Sequence, residues 1–324
     1  MITVVTTYKL PIFKMFYEHH LHDVFRDNLL LYVDQLDSTE FRALVDPEKT
    51  RIFDRNDIIK YYGDMYMPNG KYFKKMYFIN MIAEMGLLDD AIYMTDDDVL
   101  VYDKSFNDML QGDKIVYDKE PFPLVDRCYT NWNPIHAWFK KNMGTEKTLH
   151  ARATNFFIPQ ANIGEFSGAF RTYFAEFLPL LKSESDTIDK LNAKSRSKRG
   201  CDFSVFYLEV PFFDIVFSSM NHDDFKYLPF FCVVYGELRK WSEKLKTTDT
   251  SIVMEQFCYK RKPYPNKHPL LHYNVINKEA FMQDSFNHMN GKPIALKNVM
   301  DIVAQSPKEM QKIAKAKAAP KKLF

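Results

Sequence analysis

Over the first hundred residues the apolar positions fall into short blocks whose spacing alternates between two periods. Ile2–Thr7 is a β-branched run, which predicts a strand ending as Tyr8 is reached. Pro11 suits a helix start, and Ile12, Phe13, Phe16, Tyr17 and His20 follow at helical spacing. Leu29–Val33 predicts a second strand that ends at Asp34. Lys71–Met85 predicts a helix with Tyr72, Met76, Ile79, Ile82 and Ala83 on one side, closed by Gly86. Ala91–Thr95 then predicts a buried strand that runs into Asp96, Asp97 and Asp98, with Val99–Tyr102 continuing extended. Strand–helix alternation of this kind predicts an α/β fold with a mostly parallel sheet flanked by helices.

The middle of the chain is less regular. Ile115–Tyr117 and Asn155–Ile158 read as strands, and Ser167–Leu181 reads as an amphipathic helix. A loop is expected over 185–199. A helix is expected to begin at Asp202–Glu209 and to stop before Pro211. Tyr227–Tyr235, aromatic and β-branched, predicts one strand, and helix returns from Ile294 as a C-terminal helical extension. No stretch rich in Pro, Gly or Ser separates independent domains. The expected organisation is one domain with halves 1–110 and 111–305, followed by a tail, 306–324.

Composition narrows the chemistry. Glycine supplies only 10 of 324 residues, and neither a dinucleotide fingerprint nor a P-loop is present. The four cysteines, Cys128, Cys201, Cys232 and Cys258, contain no C-x-x-C pair, which argues against a zinc ribbon or a disulfide scaffold. The amino terminus lacks a basic segment before its apolar run, and no apolar stretch is long enough to span a membrane. A cytoplasmic protein is the expectation. Net charge is +2 but unevenly placed. Residues 306–324 carry six lysines against Glu309 alone, and Lys190, Lys194, Arg196, Lys198 and Arg199 form a run without an acid. Such runs are commonly solvated surface; the sharper reading is contact with a polyanion.

Three adjacent acids at the end of an apolar strand would repel one another without a cation nearby. A divalent ion with oxygen ligands suits Asp96 and Asp98, which project to the same side of an extended chain. The carboxyl end of a strand is also where open α/β sheets bind ligands. A solvated acidic turn is the plain alternative. Glu18–Asp23 contains His19 and His22 three residues apart, and reads as a solvated helix face.

Tyr93-Met-Thr-Asp-Asp-Asp-Val-Leu-Val101 resembles the D-x-D segment of GT-A glycosyltransferases, Rossmann-like enzymes that use nucleotide-sugar donors. His288-Met-Asn-Gly-Lys-Pro293 is similar to a late H-x-x-G-(x)-K-P element of the glycogenin and bacterial galactosyltransferase branch, with Ile294 where that branch has an aromatic residue. The resemblance implies Mn²⁺ or Mg²⁺ held by Asp96, Asp98 and His288, and a nucleotide-sugar donor, UDP-linked in that branch. It implies donor contacts from Asp97, from Lys292 and from Lys74 or Lys75. Thr6, Thr7, Tyr8 and Asp34 would cradle base and ribose, and Asn162 and Gly164 would face the sugar. The first half of the domain would then hold donor and metal, and the second half the acceptor. Asp202 and Glu209 are the candidate catalytic carboxylates, and an N-cap role would explain Asp202 equally well.

Two acceptors fit a GT-A enzyme. One is a glycan or a lipid-linked saccharide. The other is a hydroxymethylated base in DNA, as in phage-type DNA-modifying glycosyltransferases. Lys190–Arg199 and the Lys-rich tail suit phosphate contacts, and Tyr129, Trp132 and Trp138 suit stacking beside a flipped base. A third reading, from another class, is a non-enzymatic nucleic-acid binder on a transferase-like core, although a binder has no need of the acidic strand end.

Overall fold

The computed structural model describes residues 1–67, 73–101, 105–119, 134–143, 151–186, 209–220, 225–227, 230–233, 235–253, 270–273, 278–295, 297–298 and 300. Its strands are β1 (Ile2–Thr7), β2 (Leu29–Val33), β3 (Thr50–Asp54), β4 (Ile92–Asp96), β5 (Val99–Val101), β6 (Ile115–Lys119), β7 (Ala151–Ile158), β8 (Phe225–Tyr227), β9 (Phe230–Val233) and β10 (Leu270–Tyr273). The helices relevant to function are α1 (Leu10–Glu18), α2 (Arg55–Tyr62), α3 (Lys74–Glu84), α4 (Ile135–Asn142), α5 (Ile163–Ser183), α6 (Glu209–Ser218), α7 (Tyr235–Leu245) and α8 (Lys278–Met289).

The chain divides into two compact units. The first comprises residues 1–8, 24–96 and 107–228, and the second 9–23, 97–106 and 229–324. The chain passes from one to the other between Asp96 and Asp97.

The first unit holds a seven-stranded sheet in the order β3-β2-β1-β4-β7-β6-β8. β3, β2, β1 and β4 run parallel, and β7 is antiparallel to both β4 and β6. Strand order reverses beside β1, the kind of switch point at which open α/β sheets take ligands. β2 is buried at every position, as befits a central parallel strand. Along α5 the buried residues Phe166, Phe170, Phe174, Phe177 and Leu181 recur at three- and four-residue spacing. Phe170 meets Phe212 and Phe213 of α6 at ring-centroid distances of 5.2 and 5.4 Å. Each such ring contributes roughly 2 kcal/mol of apolar burial.

The second unit holds a three-stranded sheet, β5-β10-β9, in which β10 is antiparallel to β5 and parallel to β9. α1 packs with α8.

The α/β reading, the parallel strand order and the lengths of β1 and β2 agree with the sequence. Several expectations do not. α6 spans Glu209–Ser218 and so runs through Pro211 rather than ending before it, while residues 202–208 of the expected helix lie outside the described residues. Pro211 sits in the first helical turn, where no backbone N–H is needed. The single strand expected over Tyr227–Tyr235 is two, β8 and β9, and Tyr235 already opens α7. The helix expected from Ile294 starts later: residues 294–295 and 297–298 are not helical, Met300 is, and 301–324 lie outside the described residues.

Candidate functional site

The carboxyl ends of the parallel strands in the first unit gather charged side chains. β1 and β4 pair with Thr6 opposite Asp96. The Thr6 hydroxyl donates to Asp96 Oδ1 at 3.1 Å. Lys75 Nζ donates to the same oxygen at 2.6 Å. Lys75 and its neighbour Lys74 open α3, and both are buried. Lysines there oppose the helix dipole, so what stabilises them must lie outside the helix. For Lys75 it is Asp96. For Lys74 it is Asp34, which ends β2 and accepts from Lys74 Nζ at 2.6 and 2.7 Å.

Asp34 has a second cation. Asp54 caps α2, accepting from the backbone N–H groups of Asn56 and Asp57 while the Asp57 side chain closes the capping box. Arg55, fixed in that first turn, donates from Nε to Asp34 Oδ1 at 3.1 Å and from Nη2 to the Asp34 carbonyl at 2.8 Å. The buried Tyr66 hydroxyl has no hydrogen-bond partner among the described residues. It lies within electrostatic reach of Arg55 and Asp34, and its ionisation is pushed up, chiefly by burial. Asp34 and Lys74 were legible as site residues; Arg55 was not, although the Asp54-x-x-Asp57 capping box marks its helix start. Thr7 is buried, and Tyr8 is exposed with its carbonyl accepting from the Gln35 amide at 2.7 Å.

Glu209, first residue of α6, joins the Lys75–Asp96 pair electrostatically. Burial is the main cause that raises its carboxyl from 4.5 to about 7; Lys75 lowers it, and Asp96 raises it further. A carboxyl so placed exchanges a proton near neutrality. The other candidate carboxylate, Asp202, lies outside the described residues.

Asn162 and Gly164 do not join this group. β7 is antiparallel to β4, with Ile158 opposite Ile92 at the amino end of β4. The chain therefore reaches Asn162 and Gly164 at the sheet edge away from Asp96, where they begin α5. Asn155, earlier on the same strand, is the asparagine nearer the acid. Its Oδ1 accepts from the Thr95 hydroxyl at 2.7 Å, and its buried amide nitrogen has no hydrogen-bond partner among the described residues. Sequence reading missed it, since only strand direction distinguishes the two asparagines.

In the second unit Asp97 and Asp98 are buried. Lys278, first residue of α8, donates from Nζ to Asp98 Oδ2. The register of β10 on β5 places His272 opposite Val99, the residue after Asp98. His288 and Lys292 occupy the other end of α8. The Gly291 N–H donates to the His288 carbonyl at 3.1 Å, and the Lys292 N–H to the Asn287 carbonyl at 2.7 Å. With Gly291 at φ +67°, this is a Schellman helix stop, which accounts for the glycine without a ligand. Lys292 is exposed. Burial lowers the ionisation of the half-buried His288, favouring the neutral imidazole.

His19 and His22 are not a solvated face: both are fully buried. The His19 Nε2 bonds the Val101 carbonyl at 2.5 Å, and the Val101 N–H donates to His22 Nε2 at 3.0 Å. Trp138 is likewise structural. Its ring lies 4.6 Å from that of Phe177 and 6.2 Å from that of Phe212. Tyr129, Trp132, Lys190–Arg199 and the tail 306–324 lie outside the described residues.

Carboxylate oxygens are suitable donors for a divalent ion, and each of Asp96 and Asp98 already has a cationic partner. Among the described residues no three His, Cys, Asp or Glu side chains are gathered as a metal cage.

Neither a protein-family profile nor a characterised protein matches the chain by sequence. Solved glycosyltransferases do overlay on it. The galactosyltransferase LgtC, in complex with donor and acceptor sugar analogs, is 12% identical with a TM-score of 0.42, over 91% of this chain and 97% of that one. The bifunctional glycosyltransferase WbbM is 11% identical with a TM-score of 0.48, over 97% of this chain and 51% of that one. Mouse xyloside xylosyltransferase 1 is 10% identical with a TM-score of 0.39, over 84% of this chain and 97% of that one. Among the described residues no helix is long and apolar enough to cross a membrane.

Proposed function

We propose that this chain is a GT-A glycosyltransferase that moves a sugar from a nucleotide-sugar donor to a hydroxyl acceptor. One observation carries the reading: Lys75, Asp96 and a near-neutral Glu209 converge at the carboxyl end of β4, beside the strand-order switch. Lys75 would stabilise the leaving diphosphate, and Glu209 would hold or accept a proton at the reacting hydroxyl. Asp34, with Arg55 and Lys74 fixed upon it, and Thr6 would orient the nucleoside. A divalent ion, Mn²⁺ or Mg²⁺, would supply Lewis-acid neutralisation of the diphosphate. Asp96 and Asp98 are its proposed carboxylate ligands. His288, from the sequence resemblance, is the proposed source of an imidazole.

The proposed acceptor is a hydroxymethylated base in DNA, on the strength of the basic sequence runs alone; a glycan is the rival. UDP-sugars with Mn²⁺ should raise the melting temperature through linked binding, and Asp34→Ala should shrink that rise. A protein stabilised by no nucleotide sugar overturns the donor assignment. Transfer is then assayed on hydroxymethylated DNA against sugar acceptors, with Lys194, Arg196, Lys198 and Arg199 replaced by Ala. Transfer to DNA that weakens in this variant supports the DNA acceptor. Transfer to sugars, indifferent to these changes, replaces it with the glycan.

A further inference from the structure

We infer that Lys278 is a built-in counter-cation that occupies Asp98 until a divalent ion displaces it, so that metal entry and release of the Lys278 ammonium are one event. The inference rests on the metal reading of Asp98 and adds a residue which that reading does not contain.

Asp98 exposes only 9% of its side chain and Lys278 20%. A carboxylate with so little water around it requires a positive charge close by. The chain supplies one from 180 positions away. Lys278 is also ill-placed for its own helix, because an ammonium in the first turn of α8 adds to the positive end of the dipole. Helix formation therefore gives no reason for a lysine at this position, whereas Asp98 does. Buried Asp97 next in the chain deepens the local demand for positive charge.

The Lys278 ammonium and a divalent ion bonded to Asp98 would use the same carboxylate. Two cations on the oxygens of one carboxylate, only a few ångströms apart, repel strongly where little water screens them. An incoming Mn²⁺ must therefore move Lys278 away, and the affinity measured for the metal includes the cost of breaking the ion pair. Once released, the ammonium is free to meet an anion arriving with the metal. The pair thus makes the metal-free protein self-neutralised at Asp98 and weakens metal capture.

The test uses the full chain without donor. Free Mn²⁺ is titrated by its paramagnetic resonance signal against wild type and Lys278→Met, which keeps the side-chain length and removes the charge. The variant is expected to bind Mn²⁺ at least tenfold more tightly than wild type. Equal or weaker binding by the variant overturns the displacement while leaving the metal reading intact. If neither protein binds Mn²⁺, the metal reading itself falls, and the displacement with it. A second measurement needs no variant. Acetylation of Lys278 in the wild-type protein, followed by mass spectrometry, should accelerate several-fold when Mn²⁺ binds. An unchanged rate at saturating Mn²⁺ overturns the inference even if Lys278→Met fails to fold.

Discussion

Lys75 Nζ lies 2.6 Å from Asp96 Oδ1, with 7% of the lysine side chain exposed and 22% of the aspartate. The pair joins the first turn of α3 to the carboxyl end of β4. It also fixes the field in which Glu209 titrates. Structure and proposed chemistry therefore depend on the same contact.

Breaking it should be costly. Lys75→Met leaves Asp96 poorly hydrated and without its ammonium, and the expected loss is about 3 kcal/mol, typical of a buried pair deprived of one partner. Denaturant unfolding measures it. Nucleotide-sugar hydrolysis by the folded fraction should fall as well, because the same ammonium is the proposed support for the leaving group. A variant as stable and as active as wild type would show that the pair is ornamental.

Glu209 gives stability a defined pH dependence. Its folded carboxyl titrates at about 7 against 4.5 for the ordinary group. The folded state therefore binds the proton more tightly, and this contribution is fully present below the lower value. It is lost as pH rises through the higher one. Glu209→Gln removes this dependence and, above neutrality, is expected to gain up to about 3 kcal/mol over wild type. Melting temperatures recorded across this window decide the matter. Parallel curves for the two proteins would mean that Glu209 is not desolvated.

His22 should prove structural. Its Nε2 accepts the Val101 N–H at 3.0 Å, and its Nδ1 faces the Phe16 carbonyl at 2.9 Å. Because Nε2 accepts, the proton is on Nδ1, and the ring is the neutral tautomer. His22→Ala leaves both backbone groups without these partners and opens a cavity, with an expected cost of about 2–4 kcal/mol. His22→Gln, whose amide oxygen can reach the Val101 N–H, should recover part of it in the same unfolding experiment.

For the metal, chelation should abolish turnover and Mn²⁺ should restore it, with Asp98→Ala folded but inactive. His288→Ala is expected to lose Mn²⁺ stimulation as well. Full Mn²⁺ stimulation in His288→Ala would show that the helix stop alone explains this residue.

Local sequence determined a good deal. Strand and helix periods placed β1, β2, α1 and β4 within a residue or so, because alternation and helical spacing are local properties of the chain. Asp34, Lys74, Lys75 and Asp96 were legible as site residues since strand ends and helix starts can be read from neighbouring residues. Tertiary structure decided what depends on distant pairing. The antiparallel direction of β7 moved Asn162 and Gly164 to the far sheet edge and left Asn155 beside Thr95. Packing against β5 turned an apparently solvated histidine pair into a buried clamp on Val101. Lys278 could not be matched to Asp98 from sequence, since a lysine at a helix start shows no local sign of an acid so far away in the chain. A side chain's period is written in its neighbours, but its partner is chosen by the fold.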